Sequence, residues 1–414
     1  MGRKARFTVF SLSLAILLYV TFGHVLGQGD QDTRYRSLTV YSEVLNQIQQ
    51  NYVDDPNLHL VTIGALHGLL QSLDPESSYL SAKEYDEWKT ESQDRAKGGT
   101  GLVLSRILGY MSVISDLPGS PALAANVREG DILEGIAGFT TQDMSIQQAQ
   151  LLLDGAPGSQ VKVSVIRPPN PKVQQFELTR AIVPHPPLLT TRLAGEIGYL
   201  RVAAFEKGSA RQIRAQLLQF KHDGLNKLIL DLRGCASGDP QEAIDTAQLF
   251  LSSPGTIATL RGQTISTDTF SGDPRKVVWT APVAVLISES TGGPAEIFAA
   301  AMADNHRGET VGQHTLGLAS EQKLIPLADG SALLLTVGIY YTPANKPILN
   351  HGLAPMAQVP PPNSQAALLN LQEVAPDPVP GQLPGPTDPV VQKAVQVLQP
   401  TTSASTRQAA GQGS

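Results

Sequence analysis

Residues 282–307 read PVAVLISESTGGPAEIFAAAMADNHR. The run from Val283 to Ile287 is apolar without a break and short, as in a strand buried on both faces. Gly292 and Gly293 then mark a turn, and the small and apolar residues from Ala295 to Ala303 continue as a helix. The same alternation recurs on either side. "IGYLRVAAF" reads as a strand, Ser209 to Phe220 as a helix, "KLILDLRG" as a buried strand, Gln241 to Leu251 as a helix and "ALLLTVGIYYTP" as a long strand. Strand and helix in turn predict an α/β core, residues 181–360, with a sheet covered by helices and right-handed crossovers.

Outward from that core the chain changes character. Residues 1–27 place Arg3, Lys4 and Arg6 before an uncharged apolar run, the pattern of an export signal. The run is long enough to be either a cleaved signal or a retained membrane anchor, and both deliver the remainder outside the cytoplasm, to the periplasm or cell envelope. Residues 28–96 carry apolar positions at helical spacing (Val40, Val44, Leu45, Ile48, then Val61, Ile63, Leu66, Leu69, Leu70) interrupted at Asp55-Pro56. Ser81 is placed as a helix N-cap. Residues 97–168 alternate short strands with glycine turns and two short helices, around Pro121 to Ala125 and Ser145 to Leu153. "RPPNPK" reads as a link to the core. Residues 361–414 turn to Pro, Gln, Ser and Thr, with "VVQKAVQVLQ" able to form one short helix and the final "TTSASTRQAAGQGS" expected to be disordered.

Composition excludes several classes of function. With 414 residues the chain divides into two or three domains, and its 31 basic against 37 acidic residues, net charge -6, include no basic block that would follow a nucleic acid backbone. Its one cysteine, Cys235, permits no internal disulfide, and no thiolate or imidazole cluster has metal-ligand spacing. No motif for a metal or an organic cofactor is present. The histidines stand in no Ser-His-Asp order.

Gly99 to Leu102, "GSPA" at Gly119 to Ala122, "GDIL" at Gly130 to Leu133 and "GAPGSQVKVSVIR" ending at Arg167 together resemble a PDZ domain. The resemblance implies that a polypeptide C-terminus adds as a strand to the sheet, its carboxylate held by backbone N–H groups of the loop Thr100, Gly101, Leu102 and Val103. Glycine suits a loop whose backbone must approach a ligand closely.

The order of "YVDDP", "LDPESSYL", that domain, "GYLRVAAF", "LILDLRG", "AEIFAAAMADN" and "DGSALLLTVGIYYTPANKPI" resembles the carboxyl-terminal processing, or tail-specific, serine peptidases, with their crotonase-like core. In that family a serine at the start of the helix is activated by a lysine further on, because a serine hydroxyl needs a base within hydrogen-bond reach. A glutamine orients the lysine. Matched residue by residue, the nucleophile position falls on Gly293 and the lysine position on Leu318, while Gln322 matches the glutamine. The loop expected to hold an oxyanion reads Gly234-Cys235-Ala236-Ser237-Gly238 in place of the family's Gly-Asn-Pro-Gly-Gly, and a family aspartate is replaced by Met356.

The resemblance therefore implies an exported homologue of these peptidases that lacks the Ser-Lys pair and binds polypeptide C-termini or unfolded tails, with an active paralogue as a further candidate partner. The alternative is an active serine endopeptidase with relocated groups, Ser290 or Thr291 as nucleophile and Lys323 or another lysine as base. Cys235 reads as a small apolar residue under a turn.

Overall fold

The computed structural model describes residues 36–93, 98–142, 144–184, 186–360, 383–385 and 387–399. The apolar segment 1–27 and most of the 361–414 tail lie outside the described residues. Among the described residues no helix is long and apolar enough to cross a membrane.

The chain separates into two compact units, Met1–Leu66 and His67–Ser414. The first holds α1 (36–51) and the start of α2 (Leu58–Gln71), with Leu45 and Ile48 half-buried. Asn57 opens α2 by accepting hydrogen bonds from the N–H groups of His59 and Leu60.

The second unit begins with β1 (Ser78–Leu80) and α3 (Ala82–Gln93). Ser81 caps α3 as its sequence suggests. The Glu84 carboxylate accepts from both the N–H and the hydroxyl of Ser81 at 2.7 Å. A small sheet domain follows, built of β2 (Leu102–Ile107), β3 (Tyr110–Asp116), α4 (Pro121–Ala124), β4 (Ile132–Ile136), β5 (Phe139–Thr140), α5 (Ile146–Leu153), β6 (Gln160–Arg167) and β7 (Asn170–Thr179). Its antiparallel strands run in the order β2-β3-β4-β6-β7, with β5 on β4. Alternation sets the inner face: Val161, Val163 and Val165 are buried, while Gln160 and Lys162 point out. Arg167 grips the buried Asp131 with two hydrogen bonds of 2.6 and 2.7 Å. The "RPPNPK" segment is not a link between domains. It turns β6 into β7, and β7 pairs with β6 as far as Thr179, so the sheet domain continues past residue 168. A paired strand hides behind its prolines.

The core comprises β8 (Leu189–Leu193), β9 (Ile197–Arg201), α6 (Ser209–His222), β10 (Lys227–Asp231), α7 (Pro240–Gln248), β11 (Thr256–Arg261), β12 (Asp268–Ser271), β13 (Val283–Ile287), α8 (Pro294–Asp304), β14 (Glu309–Gly312), β15 (Ser320–Pro326), β16 (Ala332–Tyr341), β17 (Ala357–Gln358) and α9 (Pro389–Val397). Its main sheet has the order β17-β14-β13-β10-β9-β8, parallel throughout except for β8 against β9. The long strand β16 does not extend this sheet. It organises a second, antiparallel one with β1, β11, β12 and β15.

Both faces of the main sheet are covered, which is why its strands read as unbroken apolar runs. Leu228, Leu230, Val283, Val285 and Ile287 pack with Ile213 and Leu217 of α6, Ala243 and Ile244 of α7 and Ile297 to Met302 of α8. The alternate residues Ile229, Ala284 and Leu286 pack on the other side with Val390, Val391 and Ala394 of α9. The core thus takes in a helix from the region assigned above to the tail. Asp388 fixes it there, accepting from the N–H groups of Val390 and Val391 and pairing with Arg233 at 2.9 Å.

Candidate functional site

The central parallel strands β10 and β13 deliver two turns to one place. After β10 comes the loop 234–238, and after β13 the turn 288–293 into α8. Thr291, fully buried, fastens the second turn to the first: its hydroxyl accepts from Ser288 N–H and donates to the Leu232 carbonyl, both at 2.9 Å. The Gly292 N–H donates to the Cys235 carbonyl at 3.0 Å.

Gly293 occupies the head of α8 with φ +54° and ψ −119°, a conformation that strains any residue with a Cβ. Space itself is not lacking, since a Cβ there would meet only the Ala236 carbonyl oxygen, 3.8 Å away. The strain belongs to the backbone alone.

The fully buried Glu296 joins this turn to the segment 315–318. Its Oε2 accepts from the N–H groups of Gly293 at 2.9 Å and Leu318 at 2.7 Å. Its Oε1 accepts from Gly317 N–H at 2.6 Å and from the Thr315 hydroxyl. Burial raises the Glu296 pKa, and the four donors work against that rise. The Leu318 side chain comes over the turn: a Cβ on Gly292 would stand 3.2 Å from its Cδ1. The chain therefore folds so that positions 293 and 318 are neighbours, one bare backbone and the other an apolar side chain. Gly312 and Gly317 are needed for the path between them, because a Cβ would stand 2.0 Å from the Ile287 carbonyl oxygen at the first and 2.7 Å from Gly352 N at the second.

The other predicted site residues divide. Gln322 lies on β15 opposite Thr336, its Nε2 buried and without a hydrogen-bond partner among the described residues. Cys235 does not serve as an oxyanion donor, because its N–H already donates to the Leu232 carbonyl at 3.0 Å. Its thiol is enclosed in the core, where burial pushes its pKa far above the ordinary thiol range. Gly238 lies against Phe205, so close that a Cβ would stand 2.4 Å from that residue's carbonyl oxygen, and Gly234 has φ +73°. Ala236 is the loop residue nearest Gly293. Met356 is exposed on a turn. Ser290 is buried and donates to Glu129 of the sheet domain, and Lys323 is exposed. Neither hydroxyl is brought to Lys323.

Behind the loop lies a buried charge network. Tyr199 donates to Asp231 at 2.6 Å, and Arg233 reaches both Asp231 and Asp388. Burial, the largest influence, would raise the Asp231 pKa, but Arg233, Arg201 and the Tyr199 hydroxyl together outweigh it and hold the carboxyl below its usual range.

In the sheet domain Thr100 is fully buried and Gly101 has φ +75°, where a Cβ would stand 2.2 Å from the Ser120 Cβ. Leu102 and Val103 open β2, an edge strand paired on one side with β3, and α5 packs beside it.

Sequence reasoning missed the reach of Glu129 and the hub role of Glu296. One signal for Glu296 was its place three residues into the helix, where a carboxylate returns to the cap.

Residues 196–359, which hold both turns and all of the main sheet except β8, match a peptidase family model. That model is peptidase family S41, so the match assigns these core residues to that family. A carboxy-terminal-processing protease of Bartonella bacilliformis is 28% identical over 363 residues, spanning 86% of this chain and 82% of the relative. A carboxyl-terminal-processing protease of Picosynechococcus sp. is 28% identical, spanning 84% of this chain and 88% of the relative. Among solved structures, a photosystem II D1 C-terminal processing protease has the same fold, with a TM-score of 0.65 at 23% identity over 83% of this chain and 98% of that one.

Proposed function

We propose that the chain is a pseudopeptidase of the cell envelope: an exported scaffold of the tail-processing kind that binds polypeptide C-termini and does not cleave them. The observation that carries this reading is the pairing of Gly293 with Leu318 around Glu296. Where the family's chemistry needs a hydroxyl beside an amine, these positions supply neither, while the carboxylate that brings them together is kept. The relocated alternative finds less support. Thr291 is committed to two hydrogen bonds within the turn, Ser290 to Glu129, and Lys323 faces outward.

In this reading the sheet domain is a PDZ domain and the core is crotonase-like. The tail would lie along the free edge of β2 beside α5, its carboxylate on the N–H groups of Thr100 to Val103. Adaptor or regulator of an active paralogue is the corresponding role. The test is a titration with an apolar-tailed peptide and with the same peptide amidated at its C-terminus. Binding of the free acid that is lost on amidation supports the reading, and equal binding of the two, or none, contradicts it.

A further inference from the structure

The seam between the sheet domain and the core encloses a carboxylate that its surroundings do not satisfy. Asp116, the last residue of β3, is 1% exposed, and neither of its carboxylate oxygens has a hydrogen-bond partner among the described residues. It lines a small cavity with Ser115 and Pro118 on its own side and Arg201, Arg233 and Gly234 on the core side. Beside that cavity Glu129 crosses the seam. One of its oxygens accepts from the Ser290 hydroxyl, on the turn that leads to Gly293. A Cβ added to Gly234 would stand 3.8 Å from the other, 3.6 Å from Ser115 Oγ and 3.9 Å from Arg201 Nη2. The buried acid and the bridging acid thus occupy one seam.

We propose that this seam is a proton-operated latch: with Asp116 protonated the sheet domain is sealed on the core and Glu129 holds Ser290, and with Asp116 ionised the seam loosens and the turn before Gly293 is released.

The charges around Asp116 favour this assignment. Burial, reinforced by Asp131 and opposed by Arg128 and by the nearby N–H groups of Asp116 and Glu129, which do not reach hydrogen-bond geometry, lifts its pKa to about 6. On the core side Arg233 is already paired with Asp231 and Asp388, and Arg201 extends toward the Arg233 carbonyl. In an opened, hydrated seam the carboxyl returns to about 4. The sealed state therefore holds the proton more tightly. Sealing is at full strength below about pH 4, weakens as pH rises toward 6, and is about 100-fold weaker above that.

Hydrogen exchange of the full chain, corrected for the intrinsic dependence of exchange on pH, reads the latch directly and needs no peptide ligand, so its outcome is independent of the proposed tail binding. Peptides covering residues 126–131 and 288–293 are expected to lose about 25-fold in protection between pH 4.5 and 7.5. Asp116→Asn is expected to keep them protected at both values, and Glu129→Gln to weaken 288–293 at both. Protection in the native chain that does not change with pH overturns the proposal even if the variants fail to fold. So does an Asp116→Asn profile that follows the native one.

Discussion

The N–H groups of Gly293 and Leu318 donate to the same carboxylate oxygen, Oε2 of Glu296, at 2.9 and 2.7 Å. Two segments separated by a helix and a strand are tied by one acid buried among N–H donors. What this geometry keeps is the relative placement of the two positions, whatever side chains they carry.

Glu296→Gln should be severely destabilising although it conserves shape. An amide offers one acceptor oxygen where two now serve, and its NH₂ would face backbone donors. A loss of about 3 kcal/mol or more in denaturant unfolding is expected, from a buried group that accepts charge-assisted bonds and is left partly unpaired.

Two glycines should respond differently to alanine. At Gly312 a Cβ would stand 2.0 Å from the Ile287 carbonyl oxygen, whereas at Gly293 the nearest atom is 3.8 Å away. Gly293→Ala is expected to cost about 1–3 kcal/mol, the backbone strain alone, and Gly312→Ala more, because the β13–β14 pairing must also shift. Unfolding midpoints of the two variants check the order.

Asp388→Ala removes both the cap of α9 and a partner of Arg233. With Asp231 still in place, a loss of about 3 kcal/mol is expected. Hydrogen exchange should show α9 opening before the main sheet does.

Cys235 should resist alkylation in the native chain at pH 8 and react fully once unfolded, because burial both encloses the thiol and raises its pKa. Rapid labelling of the native chain would contradict its placement.

The strands and helices of the core were legible because burial on both faces leaves β10 and β13 with no polar interruption, a pattern few other elements share. The turn at 292–293 was legible because two adjacent glycines end the strand segment. Contacts across sequence were not. Glu129 and Ser290 lie 161 residues apart, and nothing in the loop around Glu129 points to the core. Arg167 to Lys172 was misread because prolines usually mark a break, and here they sit in the turn of a hairpin. The α9 helix stands amid Pro- and Gln-rich sequence, and only its placement over Ala284 and Leu286 shows that it covers the second face of the sheet. Cys235 and Gly238 matched a donor loop by position, but their places there are set by Leu232 and by the backbone of Phe205.

The most direct test of lost chemistry on a retained scaffold is cleavage of an unfolded reporter with an apolar C-terminal tail by the purified chain and by its Gly293→Ser, Leu318→Lys double variant. The native chain should be inactive and the double variant should cut, because the Glu296 carboxylate already places the two positions side by side. Cleavage by the native chain that is abolished by Ser290→Ala would contradict it and locate the nucleophile elsewhere in the same turn.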